Sequence, residues 1–185
     1  QIIDGSAVAT FVIDHEHRVT HWNRACAVLT GLPASELIGT RQQWRAFYPD
    51  ERPCMADLVL DGAMEEKVAQ YYGTKKYHRS QVVDGGFEAE DFFASFGSSG
   101  RWLYFTAAPL RDAHGNVIGA IETLQDVTEQ KRAEEHLRQS EERYRVQSIT
   151  DGMTGLYNAR HFAQRLREEM DRCQRYQHSL ALMVL

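Results

Sequence analysis

The chain has 185 residues, 43% hydrophobic and 25% charged, a balance ordinary for globular protein and enough for one large or two small domains. Its net charge of −5 carries no basic footprint, which disfavours nucleic acid as a partner. No apolar run approaches the roughly 18–20 residues of a membrane-spanning helix, so no membrane segment is expected in it. Cys26, Cys54 and Cys173 are odd in number and far apart, forming neither a disulfide framework nor a Cys-x-x-Cys knuckle. That usage fits a reducing, cytoplasmic setting, and Gln1, which is no initiator residue, reads as the start of an excised fragment.

Phe11 to Asp14 and Val19 to Trp22 are short β-rich runs around the polar turn 15–18, a hairpin signature. Asn23 is placed to cap a short helix through Ala25, Cys26, Val28 and Leu29 that Gly31 ends. Ser35 opens another helical turn, closed by Gly39, and the aromatic group Trp44, Phe47 and Tyr48 precedes the break at Pro49. From Asp50 to Tyr72 the period is helical, with Ala56, Leu60, Met64, Val68 and Tyr71 in one stripe. Gly73 and Gly85-Gly86 bracket a polar loop holding Tyr77 and His78, and Phe87 to Phe96 has strand character in part. Trp102 to Leu110 and Val117 to Leu124 alternate as a strand pair about the turn 112–116. An antiparallel sheet with short helices inserted after two strands is an α+β domain.

The run Phe-Val-Ile-Asp…Val-Thr-His-Trp-Asn-Arg-Ala…Leu-Thr-Gly-Leu-Pro-Ala-Ser-Glu-Leu-Ile-Gly resembles the opening of a PAS sensor domain. Ala-Pro-Leu-Arg-Asp-Ala-His-Gly-Asn-Val-Ile-Gly-Ala-Ile-Glu-Thr-Leu-Gln-Asp-Val-Thr-Glu resembles the closing hairpin and Asp-x-Thr junction of the same family. The resemblance implies the PAS fold, an antiparallel sheet with inserted helices, over residues 1–128. The stretch 50–96 is longer and more aromatic than the usual connection at that place.

Residues 129–148 form the next unit, a signalling coiled-coil helix. Asp126 and Glu129 have the spacing of a helix capping box. Neither Gly nor Pro interrupts the following twenty residues, and Ala133, Leu137, Ser140, Tyr144 and Gln147 fall on a heptad seam. Only Leu137 and Tyr144 in that seam are large, and five acidic and five basic residues between Glu129 and Arg145 lace the helix with charge. Asp126, Val127, Thr128, Glu129, Leu137 and Tyr144 are the candidate signalling residues of a parallel homodimer, against the plainer reading of a solvated surface helix.

Residues 149–185 begin a second domain: a Gly-punctuated turn, a helix with Phe162, Leu166, Glu169 and Met170 on one face, and an apolar run from Leu180 to Leu185 that reads as a buried strand. The turn resembles the Asp-x-Leu-Thr-Gly-Leu-x-Asn-Arg-Arg-x-Phe opening of the GGDEF domain of diguanylate cyclases, with Asp151, Thr154, Gly155 and Asn158 among its matches, and Met153 and Ala159 as departures. The family condenses two GTP molecules to cyclic di-GMP. The resemblance implies that GTP and Mg²⁺ are held by residues past Leu185, so that no catalytic residue lies in this fragment.

Trp44, Phe47, Tyr48, Phe92, Phe93, Trp102 and Tyr104 either line a small-molecule pocket between sheet and helices or fill a small core; the first four with Trp102 and Tyr104, Phe93 aside, are the candidate pocket. The ligand itself is unknown from sequence. His15, His17 and His21 lie near one another without the Cys partners of a structural zinc site, so no metal is expected. His78 lacks a supporting haem motif, and Cys54 reads as a small buried hydrophobe. The expected function is a sensor that couples a signal or dimerisation state to cyclase output through the coiled coil. The alternatives are a ligand-free dimerisation module, or a sensor on a degenerate, non-catalytic GGDEF domain.

Overall fold

A computed structural model describes residues 5–62, 65–73 and 76–183. The chain divides into two compact units, residues 1–131 and 132–185, each described by itself.

In the first unit, β1 (Ala9–Asp14) and β2 (Val19–Trp22) form the expected hairpin. Helix α1 (Arg24–Thr30) follows, capped by the Asn23 side chain accepting from Cys26 N–H at 2.8 Å and ended by Gly31 at φ 77°. After α2 (Ala34–Leu37) and a 3₁₀ turn at Gln43–Ala46 comes a split the helical stripe did not show: α3 (Met55–Leu60) and α4 (Glu65–Tyr72) are separate. Gly62, at φ 62°, takes the left-handed conformation that ends α3. Met64 of the expected stripe lies outside the described residues.

The loop expected around Tyr77 and His78 is instead β3 (Lys76–Arg79), antiparallel to β4 (Phe87–Phe93). Its sequence, Lys-Tyr-His-Arg, sits at the sheet edge with only Tyr77 partly covered. A strand exposed on both faces carries no apolar alternation, and charged residues suit an edge. β5 (Arg101–Arg111) and β6 (Val117–Asp126) complete an antiparallel sheet in the order β2-β1-β6-β5-β4-β3. β6 can lie close against β1 because of Gly119: a Cβ there would sit 2.3 Å from Ile13 O.

The helices cover one face of this sheet. Phe11, Ile13, Phe87, Ala89, Leu103, Phe105 and Leu124 pack from the strands against Cys26, Leu37, Met55, Leu58, Val68 and Tyr72 from the helices. Alternation is strict along β5, where Leu103, Phe105 and Ala107 are buried while Trp102, Tyr104 and Thr106 face the other way. Fully burying side chains of this size contributes roughly 1.5–3 kcal/mol each.

Helix α5 (Thr128–Ile149) starts in the first unit and continues into the second. Beyond its first residue it has no buried position, and it carries the ion pairs Arg138–Glu135 and Arg145–Glu142, each at 2.8 Å. Helix α6 (Ala159–Tyr176) is capped by Asn158, whose side chain accepts from His161 N–H at 2.9 Å. The strand expected at Leu180–Leu185 does not form over the described residues: 178–183 have no regular structure, and Leu180, Leu182 and Met183 are exposed. A strand needs a neighbour to take its N–H and C=O groups, and none pairs with this run among the described residues.

Candidate functional site

The seven aromatic residues proposed from sequence fall on two faces of the sheet. Phe47, Tyr48 and Phe93 belong to the inner side, with ring centroids 6.1–6.3 Å apart, and Trp44 packs against the same core from the 3₁₀ turn. Phe92, Trp102 and Tyr104 point outward from their strands: Phe92 is 43% and Trp102 36% exposed, their rings meet at a tilt of 51° with centroids 5.6 Å apart, and the Tyr104 hydroxyl donates to Glu88. Of the six candidate pocket residues, Phe47, Tyr48 and Phe92 line one groove, and Trp44, Trp102 and Tyr104 are not among its lining. Even positions on β4 and β5 point away from the core, so strand parity separates Trp102 and Tyr104 from Phe47.

A groove of about 530 Å³ does open on the inner aromatic group, lined by Phe47, Tyr48, Arg52 and Phe93 among others. The Arg52 guanidinium carbon lies 4.0 Å from the centre of the Tyr48 ring and 5.1 Å from that of Tyr72. Its Nη2 donates to Tyr71 O at 3.1 Å, and the Tyr48 and Tyr72 hydroxyls are 3.1 Å apart. Burial pushes both phenols above their usual range.

A polar knot around Asp57 is a feature that sequence reading missed. Asp57, on α3, takes three donors or partners at 2.8 Å: His17 Nδ1 and Gln43 Nε2 on Oδ1, and Cys54 N–H on Oδ2. His17 Nε2 meets Asp61 Oδ1 at 3.1 Å, so this histidine is tied to two carboxylates. Glu122 on β6 is buried and accepts from Ala56 N–H at 2.8 Å. Desolvation raises its carboxyl to about 8; the Ala56 hydrogen bond opposes this and the charge of Asp57 adds to it. Burial likewise raises the Cys26 and Cys54 thiols, and Cys54 lies buried in the core. The signal for Glu122 was present in the sequence: it shares the inward parity of Ala120 and Leu124, an acid in a core register. His78 lies on the edge strand, 3.4 Å from Glu88. Among the described residues no group of three His, Cys, Asp or Glu is arranged to hold a metal.

The junction residues come together as one lock. Val127 N–H donates to Trp102 O at 2.9 Å, and Trp102 N–H returns to Thr128 Oγ1 at 2.9 Å. Asp126 accepts from Thr128 N–H at 2.9 Å and pairs with Arg101 at 3.1 Å. Burial alone would raise the Asp126 carboxyl, but these partners outweigh it and hold it below its usual value. Because α5 begins at Thr128, Asp126 stands one residue ahead of the cap position that the box of Asp126 and Glu129 required. Lys131 adds an ion pair to Glu90 at 2.6 Å.

An antiparallel sheet closed by this hairpin and lock, with short helices on one face, is the arrangement the opening and closing motifs led one to expect. The family profile described as the PAS fold matches residues 3–132, more than two thirds of the chain. The chain belongs to the PAS family. A second profile, the GGDEF domain of diguanylate cyclases, matches residues 148–185. Two curated relatives, both named "Probable diguanylate cyclase DgcC" and from Escherichia coli strains K12 and CFT073, are 41% identical over 49 residues, 26% of this chain. The chain spans only 13% of the length of those relatives. Among solved structures, the PAS domain of Bordetella pertussis BvgS is similar at TM-score 0.44 and 18% identity, covering 76% of this chain and 92% of that one. An RNA-binding light-oxygen-voltage receptor is similar at TM-score 0.48 and 21% identity, covering 78% and 36%.

In the partial GGDEF segment, Asp151, Thr154, Gly155 and Asn158 form one hydrogen-bonded joint. Asp151 Oδ1 accepts from Thr154 N–H at 3.0 Å and Thr154 Oγ1 at 2.9 Å, and from Met153 N–H at 3.2 Å. Gly155, at φ 71°, lets its N–H reach Asp151 O, and Asn158 Nδ2 donates to Ser148 O at 2.8 Å. With Oδ1 of Asp151 occupied in this way and no acidic group beside it, the described residues do not fit a Mg²⁺ site. They form the turn between α5 and α6. No helix among the described residues is long and apolar enough to cross a membrane.

Proposed function

We infer that this chain is the sensory and regulatory segment of a cytoplasmic diguanylate cyclase, its PAS domain setting how two GGDEF domains meet across a homodimer. The observation that carries the reading is the lock between Trp102 and the Val127-Thr128 pair, which ties the central strands to the first turn of α5. A shift of β5 or β6 driven from the core moves the start of the helix directly. The exposed seam residues support pairing with a second copy: Leu137 is 59% and Tyr144 69% exposed, with no buried position between them. The partial match to diguanylate cyclases supplies the output, and the condensation of GTP with Mg²⁺ is assigned to residues outside this chain.

Insertions in α5 of the full-length parent test this. One residue turns an α-helix by about 100°, whereas seven restore the facing seam to within about 20°. A heptad inserted after Ser140 is expected to keep regulated cyclic di-GMP synthesis from GTP, while one or two residues lock it on or off. Equal rates and equal responses across all three insertions would make α5 a passive tether and sink the reading.

A further inference from the structure

The groove beside the 3₁₀ turn contains a cation whose hydrogen-bonding capacity is largely unused. A guanidinium has five N–H donors in a planar fork matched to a carboxylate. Arg52 spends one group on Tyr71 O, while its Nε is buried and meets no acceptor among the described residues. A buried charged donor left unmet is costly, so its retention in an aromatic clamp calls for a partner. Tyr48, its ring centre 4.0 Å from the guanidinium carbon, holds the cation by a cation–π contact before any ligand arrives. The second arginine of the groove, Arg45, already donates to Gln42 Oε1 at 2.8 Å and lies 3.9 Å from Glu36.

We propose that this groove binds an apolar monocarboxylate, with its carboxylate on the Arg52 fork and its hydrophobic body against Phe47, Tyr48 and Phe93. The walls decide the body: the rings of Phe47, Tyr48, Phe92 and Phe93 line a volume of about 530 Å³, within the range of small-molecule sites. The charges decide the head group. Arg52, whose Nε is unmet among the described residues, lines the cavity and Asp91 lines the same groove, so a single negative charge is favoured over a dicarboxylate or a phosphate dianion. Such a site deepens the sensor reading and rests on it for the link to output, though not for binding.

The probes are 2-naphthoate and its uncharged isostere 2-naphthamide, added to the 185-residue chain in thermal unfolding. 2-Naphthoate is expected to raise the midpoint progressively with its logarithmic concentration, and 2-naphthamide to leave it in place. Arg52→Met should weaken the naphthoate response about tenfold or more, and Arg52→Lys, which keeps the charge without the fork, should give an intermediate loss in a folded protein. Equal shifts with acid and amide, an undiminished response in Arg52→Lys and Arg52→Met, or no shift at millimolar naphthoate would each overturn the proposal. The cyclic di-GMP rate of the parent separates the two readings. Naphthoate binding with an unchanged rate keeps the site and removes its coupling to output; a rate regulated by another stimulus, without naphthoate binding, does the reverse.

Discussion

Replacing Glu122 by Gln should flatten the pH dependence of stability of the first unit. The carboxyl stands at about 8 in the folded protein against 4.5 for the exposed group, because burial disfavours its ionised form. Between those values the unfolded chain has released the proton and the folded one still holds it, so stability falls as pH rises. Below 4.5 both states are protonated and above 8 both are ionised, so the loss is confined to that window. At 1.36 kcal/mol per pH unit the whole interval corresponds to about 5 kcal/mol, and relaxation around the charge brings the expected loss to about 3–5 kcal/mol. For a domain of this size that is on the order of 10 °C in Tm. Glutamine keeps an oxygen to accept from Ala56 N–H at 2.8 Å, and its amide N–H₂ adds a cost that does not vary with pH. The assay is urea unfolding followed by tryptophan fluorescence from pH 4.5 to 8.5, and the quantity read is the slope. His17 and the other histidines are common to both proteins and cancel in the difference. Parallel slopes for the parent chain and Glu122→Gln would show that Glu122 is ionised or solvated in the folded state, and the argument from burial would fail.

Thr128→Val removes the acceptor of Trp102 N–H while keeping the shape, and should cost about 1–3 kcal/mol in urea unfolding; an unchanged midpoint would mean the lock is not closed in solution. Phe47→Ala, in the inner aromatic group, is expected to cost about 3–5 kcal/mol. Trp102→Ala, on the outer face with 36% of the residue exposed, should cost less than Phe47→Ala, and the reverse order would contradict the assigned strand parity. Asp151→Ala leaves the N–H groups of Met153 and Thr154 without their acceptor, and hydrogen exchange at those two amides should accelerate while that of β5 and β6 stays as before.

Some of the candidate site could be read before any coordinates. The Asn23 cap and the Gly31 stop are local devices, each complete within a few residues, and both form as the pattern implies. The turn Asp151 to Asn158 is equally local, since its side chains bond to backbone no more than ten residues away. The alternation along Trp102 to Leu110 already separated Trp102 and Tyr104 from Leu103 and Phe105; collecting the aromatics by type rather than by parity is what merged two faces into one pocket. Strand β3 gave no period because an edge exposed on both sides has no buried set to repeat.

Sequence by itself determined the elements whose causes are short-range: the β1–β2 and β5–β6 hairpins, the Asn23 cap, the uninterrupted α5, and the two family motifs at the ends of the first unit and the start of the second. Tertiary structure alone decided the contacts that matter chemically. Glu122 meets Ala56 across 66 positions, Asp57 meets His17 across 40, and Arg52 reaches Tyr71 across 19. Such pairs leave no periodic trace, because they arise where the helices descend onto the sheet rather than within any one element. Their burial, which raises the Glu122 carboxyl and clamps the Arg52 fork, exists only once the sheet and helices have closed over them.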